Sequence, residues 1–376
     1  MTICFLLMLG CGGSITEQIN PTPEGTTALS LSPQEQVYVA AANFTDSVGS
    51  IATVGLNNPH SIQTAKQITD GSDVVLKSFD GKLYVINRGG VSTIQVIDPE
   101  SFKILGNYSV GSPGNPQDLV VANGKAFITR LDAHLDKSNA DDLLIVDPLT
   151  GNKITGIDLK PYTENDGDRL ARAAGMALAG DNLYVVIQDL SKNFQATTNG
   201  KVAVIDTKNN SIIDTVQLAG RNPTDIAYHA DLQKIFVANS GVFDSNFNND
   251  VTTAFGGIEV IDTTTHNSLG ILVDDAGFGN YVSLVRIISE NLGVVTVNAA
   301  VVASFNPTTL EIISKNLYSS PGAFLPELLV DKNGLLWVPE RNLKGSGMIL
   351  LDPQTGAVIN GPFEVGALPA SMSLIR

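Results

Sequence analysis

Apolar residues in this chain fall into short runs separated by small and polar ones, and the runs come in pairs. Leu83-Tyr84-Val85-Ile86-Asn87 precedes Ile94-Gln95-Val96-Ile97-Asp98-Pro99, and the same order returns as Ile235-Phe236-Val237-Ala238-Asn239 before Ile258-Glu259-Val260-Ile261-Asp262. No long stretch keeps a helical apolar period, and β-branched residues dominate the runs, so the pattern predicts strands. The first strand of the pair recurs at Val37–Val39, Leu83–Val85, Ala126–Ile128, Leu183–Val185, Ile235–Val237, Gly293–Val295 and Leu336–Val338, seven times in all. Its partner follows at Ser50–Val54, Thr93–Ile97, Leu143–Val146, Val202–Ile205, Ile258–Ile261, Val301–Phe305 and Met348–Leu351. Most partners end on a turn signal: Asp98-Pro99, Asp147-Pro148, Asp206-Thr207, Asp262-Thr263, Asn306-Pro307 and Asp352-Pro353. Asp or Asn at the head of such a turn accepts hydrogen bonds from the backbone ahead of it, which starts a reversal into a further strand. Alternation along each strand is expected to bury one face against the next repeat.

A third strand repeats as well. Asn115-Pro116-Gln117-Asp118-Leu119-Val120-Val121 matches Asn222-Pro223-Thr224-Asp225-Ile226-Ala227-Tyr228, with a weaker copy at Leu368-Pro369-Ala370-Ser371-Met372-Ser373-Leu374. That last copy has no strand after it, while the first repeat lacks such a strand before Val37, so the C-terminus is expected to complete the N-terminal repeat. The fold class predicted is all-β: a seven-bladed β-propeller of four-stranded blades, strands A to D, closed without a free end. The Phe236-Val237-Ala238-Asn239 and Tyr84-Val85-Ile86-Asn87 strands, with the later Val-Ile-Asp, resemble the YVTN family of propellers found in bacterial and archaeal surface and envelope proteins. The resemblance covers nearly everything from Val37 to Arg376 and implies a fold more than an activity, because propellers host binders, scaffolds and enzymes. Blade six departs most, with Asn306 in the Asp position and a shortened B to C turn.

Address comes from the other end. Residues 1–10 are uncharged and mostly apolar, too short for a bilayer span, and read as an export leader. Leu7-Met8-Leu9-Gly10-Cys11 resembles a bacterial lipobox, which implies lipid attachment at Cys11. No Lys or Arg precedes the apolar stretch, and Met8 and Leu9 are bulkier than is usual there. Gly12 after the Cys implies the outer membrane. Residues 11–32, rich in Thr, Ser, Pro and Gly, are expected to form a flexible tether, leaving 33–376 as a single propeller domain. Cys4 and Cys11 are the only cysteines, so residues 33–376 hold no disulfide, Cys zinc site or Cys nucleophile.

The net charge of −15 disfavours nucleic acid and anionic membrane as partners, and leaves cations, basic proteins and neutral sugars easier to accept. Loops joining B to C, and crossings from D to the next A, emerge on one face. The longest of them, Leu131–Asp142, Pro161–Arg172, Leu190–Gly200 and Gly241–Gly256, belong to blades three to five and predict one raised rim. Asp132, His134, Asp136, Asp141, Asp142, Glu164, Asp166, Asp168, Asp244 and Asp250 fall in it. Asp244, Asn246, Asn248 and Asp250 alternate as oxygen donors around Ca2+ would. An EF-hand, however, calls for Gly and Glu where Asn249 and Phe255 stand, and a solvated Asn-rich loop is the competing reading. Asp132, His134 and Asp136 present ligands for a divalent transition metal if the segment is extended; a lone exposed His beside acids is the plainer one. Nucleophile-elbow, phosphate-loop and zincin motifs do not occur. Two functions follow: a non-enzymatic envelope lipoprotein whose rim binds a protein or glycan, or an exported propeller enzyme, lactonase-like or another hydrolase, with or without a divalent cation. Convergent carboxylates, His and Arg at the channel mouth favour the second.

Overall fold

The computed structural model describes residues 31–164, 169–244, 246, 248–342 and 345–375; Cys11, Asp166 and Asp168 lie outside the described residues. Strand pairing forms seven four-stranded antiparallel sheets and one two-stranded sheet. Blade one takes strand A from the C-terminus, Leu368–Leu374, and B, C and D from Gln36–Asn43, Val48–Gly55 and Ile62–Thr69. Val37 stands opposite Leu374 and Ala42 opposite Leu368, with a bulge between Ala40 and Ala41. The expected closure is therefore present; A strands touch in order from blade one through blade seven, and the ring closes where Leu336–Glu340 of blade seven meets Leu368–Leu374.

Seven buried apolar clusters fill the seven seams between blades. Every blade is packed on both sides, which changes the alternation expected of its inner strands. Leu83 to Asn87, in strand B of blade two, is buried throughout, whereas strand D, Ile104–Ser109, alternates between exposed and half-buried. Sheets covered on both faces give continuous apolar runs, and only the outer strand keeps a period of two. At the seam of blades seven and one, Trp337 is fully buried, its indole N–H donating to Asp331 Oδ2 at 2.9 Å, which satisfies the polar end of a large apolar side chain.

The repeated polar residues turn out to be fasteners. In strand A, Asp118 accepts from the Met176 backbone N–H of the next blade and Asp225 from that of Val285, both at 2.9 Å. Ser371, in the weak third copy, accepts from Leu76 N–H at 3.0 Å. The Asn closing strand B works with a C-strand partner to grip the preceding crossing. Asn87 pairs with Gln95 to hold Asp70 and Gly71, and Asn239 pairs with Glu259 to hold Ala219 and Gly220. In the C to D turns, Asp98, Asp147, Asp206, Asp262, Asn306 and Asp352 each accept from the backbone N–H groups two and three residues ahead. Blade six thus builds the same turn from an Asn, since the acceptor needed is a side-chain oxygen and not a charge.

The A to B and C to D turns share one face, and the B to C loops and D to A crossings share the other, hereafter the loop face. Gln36 opens strand B and Leu374 ends strand A on the turn face, so both ends of the described chain lie opposite the long loops.

Candidate functional site

The rim of blades three to five is assembled by arginines. Arg130 ends strand B of blade three (Lys125–Arg130) and is fully buried. It donates to Asp136 Oδ2 at 2.6 Å and to the Asn139 and Asp141 carbonyls at 2.9 and 2.8 Å, so one guanidinium folds the whole loop back on its stem. Asp136 also accepts from the Ser138 N–H and hydroxyl. Burial by itself would raise its pKa, but the Ser138 and Arg130 contacts outweigh it and hold the carboxyl below the ordinary range.

Arg172, just ahead of strand A of blade four (Ala173–Ala179), joins two loops. Its Nη1 forms an ion pair with Asp132 in the blade-three loop, and its guanidinium lies 3.9 Å from the ring centroid of Phe194 in the blade-four loop. Asn115 donates to the other Asp132 oxygen at 2.8 Å. Arg221 repeats the arrangement one blade on. It lies 3.7 Å from the Phe255 ring centroid in the blade-five loop and donates through Nε to Asn199 Oδ1 of the blade-four loop at 3.2 Å. An arginine flat on an aromatic face gains cation–π attraction and also locks the ring's position.

The crossing from blade three to four is fixed further by a short ladder, Arg169 opposite Ser191 and Leu170 opposite Leu190. Asp189, fully buried, receives Lys201 Nζ at 3.0 Å and the Glu164 N–H at 3.1 Å. Continuity of the rim therefore has a concrete cause in side-chain struts between adjacent loops.

The residues of the two ligand sets suggested by sequence are engaged in local contacts. Ala133–Leu135 is a 3-10 turn, not an extended segment. It sends Asp132 toward Arg172 and Asp136 toward Arg130, and leaves His134 exposed at the tip with its pKa lowered by partial burial and by Arg172. In the blade-five loop, Asp244 accepts from the Asn246 and Asn248 N–H groups at 2.8 and 2.9 Å and from the Asn248 side chain at 3.0 Å, which holds its pKa low. Asp250 caps the next turn by accepting from the Thr252 N–H at 3.0 Å. Asp244 and Asp250 thus each accept within a separate turn. Among the described residues, no three His, Cys, Asp or Glu side chains cluster as a metal site.

Two acids sit where sequence gave no signal of unusual chemistry. Asp142, nearly buried at the end of the blade-three loop, is pushed up to about 7 by burial and by Asp158. Asp275, 1% exposed at the start of a one-turn helix (Asp275–Phe278), is pushed up to about 7 by burial and by Asp274. Among the described residues, neither oxygen of Asp275 has a hydrogen-bond partner. It lies under the blade-five loop, where a Cβ added to Gly256 would come within 1.9 Å of Oδ2.

Charges also converge inside the channel, from residues the sequence reading did not single out. Lys77 pairs with Asp118 at 2.8 Å, and Arg286 pairs with both Asp225 and Glu327 at 2.5 Å. Carboxylates and an arginine are thus present, but each is held by an opposite charge, and Asp118 and Asp225 are the same groups that clasp neighbouring blades.

A protein-family model described as the choice-of-anchor I domain matches residues 133–311, less than half of the 376-residue chain, and includes the rim from Ala133 onward but not Leu131 or Asp132. No curated protein matches the chain. Among solved structures, the crystal structure of BamB from Moraxella catarrhalis is similar over 83% of both chains, at 14% identity and a TM-score of 0.49. Likeness at that level carries no functional argument, and the blade count rests on the strand pairing described above.

Proposed function

We infer that this chain is an exported, envelope-anchored β-propeller that binds a protein or glycan partner through the loop-face rim of blades three to five, without chemistry of its own. The observation that carries the reading is the strut system: Arg130, Arg172 and Arg221 fix long loops into one ledge, and ordered loops on a rigid ring present a surface at low entropic cost on binding. The lipobox-like sequence ending at Cys11 supports attachment to the outer membrane, and the anchor named in the family description agrees with it. The channel charges fit the binder better than the hydrolase, because a general acid or nucleophile needs a carboxylate not already committed to a permanent cation.

The partner expected is neutral or basic overall, given the net charge of −15. Removing all of residues 241–256 would take away Phe255 from under Arg221 and the first residue of strand C in blade five (Gly256–Asp262). The appropriate variant replaces 244–253 with a short Gly-Ser linker. With a tag at Arg376, intact protein should capture an envelope component in calcium and in chelator alike, and the variant should lose it at unchanged thermal midpoint. Equal capture by both would move the binding surface off this loop.

A further inference from the structure

Successive seams of the rim use one device with a single difference. At the seam of blades three and four, Arg172 lies on Phe194 and is neutralised by Asp132 of the preceding loop. At the seam of blades four and five, Arg221 lies on Phe255, and the preceding loop offers Asn199 in the corresponding role. Among the described residues, Arg221 forms no ion pair. Its side chain also donates from Nη1 to the Ala196 carbonyl at 3.5 Å, its backbone bonds Phe255 and Gly241, and Nη2 has no acceptor among the described residues. Burial and then Arg169 pull the Arg221 pKa down. Arg221 is only partly buried, and none of its nitrogens is among the buried atoms without a partner, so it keeps donor capacity on its open side that a carboxylate from outside can take up.

We propose that Arg221, stacked on Phe255 and held by Asn199, is a carboxylate-binding site on the rim, filled by a carboxylate of the ligand in the place that Asp132 fills beside Arg172. A fixed, stacked guanidinium loses little freedom on accepting two parallel N–H to oxygen bonds, which is why arginine suits planar anions. The surrounding acids would meet basic groups of the same partner, so the site sets register within a contact that is otherwise of opposite sign. The carboxylate could belong to a protein side chain or to a free small acid, and the probes separate the two.

The proposal rests on the rim as binding surface, but its test does not, because it is read at Arg221 itself. The Arg221 Nε–H resonance is followed by NMR while N-acetylglutamate amide, its glutamine counterpart or acetate is added to wild type, Arg221→Gln and Asn199→Asp. In Arg221→Gln, which removes the reporter, the backbone amides of Ala196 and Phe255 are followed instead. The acid, but not the glutamine compound, should shift the resonance in wild type. Asn199→Asp, which supplies the missing carboxylate from within, should weaken the response by about tenfold, as should Arg221→Gln. Acetate acting as well as N-acetylglutamate amide would assign the site to small acids, and a response confined to the latter would assign it to a peptide. No response in wild type, or the same response in all three proteins, would overturn the proposal. Failure of the loop-replacement experiment with a positive result here would instead retire only the reading of the rim as a macromolecular surface.

Discussion

The seam of blades three and four and the seam of blades four and five differ in where an arginine finds its negative charge. Arg172, only 3% exposed, has Asp132 and is closed on itself. Arg221 is half-buried, has Asn199, and is open. A buried guanidinium must be neutralised inside the protein, whereas a partly exposed one can wait for a ligand. Identical scaffolding thus yields a strut in one seam and a receptor in the next, and the choice turns on Asp against Asn at one contact.

The sharpest way to break the comparison is to remove each arginine. Arg172→Ala leaves Asp132 without its cation and Phe194 uncovered, and should cost about 3 kcal/mol in chemical denaturation, against about 1 kcal/mol for Arg221→Ala. Equal costs would mean that the two seams are not different in kind. Gly256→Ala places a methyl against Asp275 beneath the blade-five loop and should cost about 2 kcal/mol, seen as a lower denaturation midpoint.

Ionisation sharpens it further. Asp142 and Asp275 have folded-state pKa values of about 7, above their ordinary value of 3.8. Each binds its proton more tightly when folded, so their contribution is complete below about pH 4 and is lost as pH rises through 7, with a slope of about 1.4 kcal/mol per pH unit for each group. Asp275→Asn should remove its share of that slope in a pH series of denaturation curves. The smallest effect is the most diagnostic: a double-mutant cycle of Asn199→Asp with Arg221→Gln should show coupling of about 0.5 kcal/mol, the size of a half-exposed ion pair.

Much of the scaffold was legible because its signals are local. A strand ending in Asn, such as Ile235 to Asn239, or a turn headed by Asp262, announces itself within a few residues. The copy at Leu368 to Leu374 even disclosed the closure, through a motif lacking its continuation. What sequence could not show is which groups meet. Asp132 and Arg172 are 40 residues apart, and the carboxylates of Asp132 and Asp136 diverge because a 3-10 turn replaces the extended segment. The acids were visible and their commitments were not, so a rim that reads as a row of metal ligands is mostly internal bracing. Arg221 left one faint trace, a basic residue immediately ahead of the Asn222-Pro223 strand start with a Phe at the end of the following loop.

Both ends of the described chain emerge beneath the disc, opposite the ledge. A stalk attached upstream of residue 31 would hold the ring like a tray on a post, with its working side turned outward and its underside toward the support. That geometry would leave the loop face open to approach from the side away from the support. Cargo fused at either end would hang below and leave the landing side uncovered.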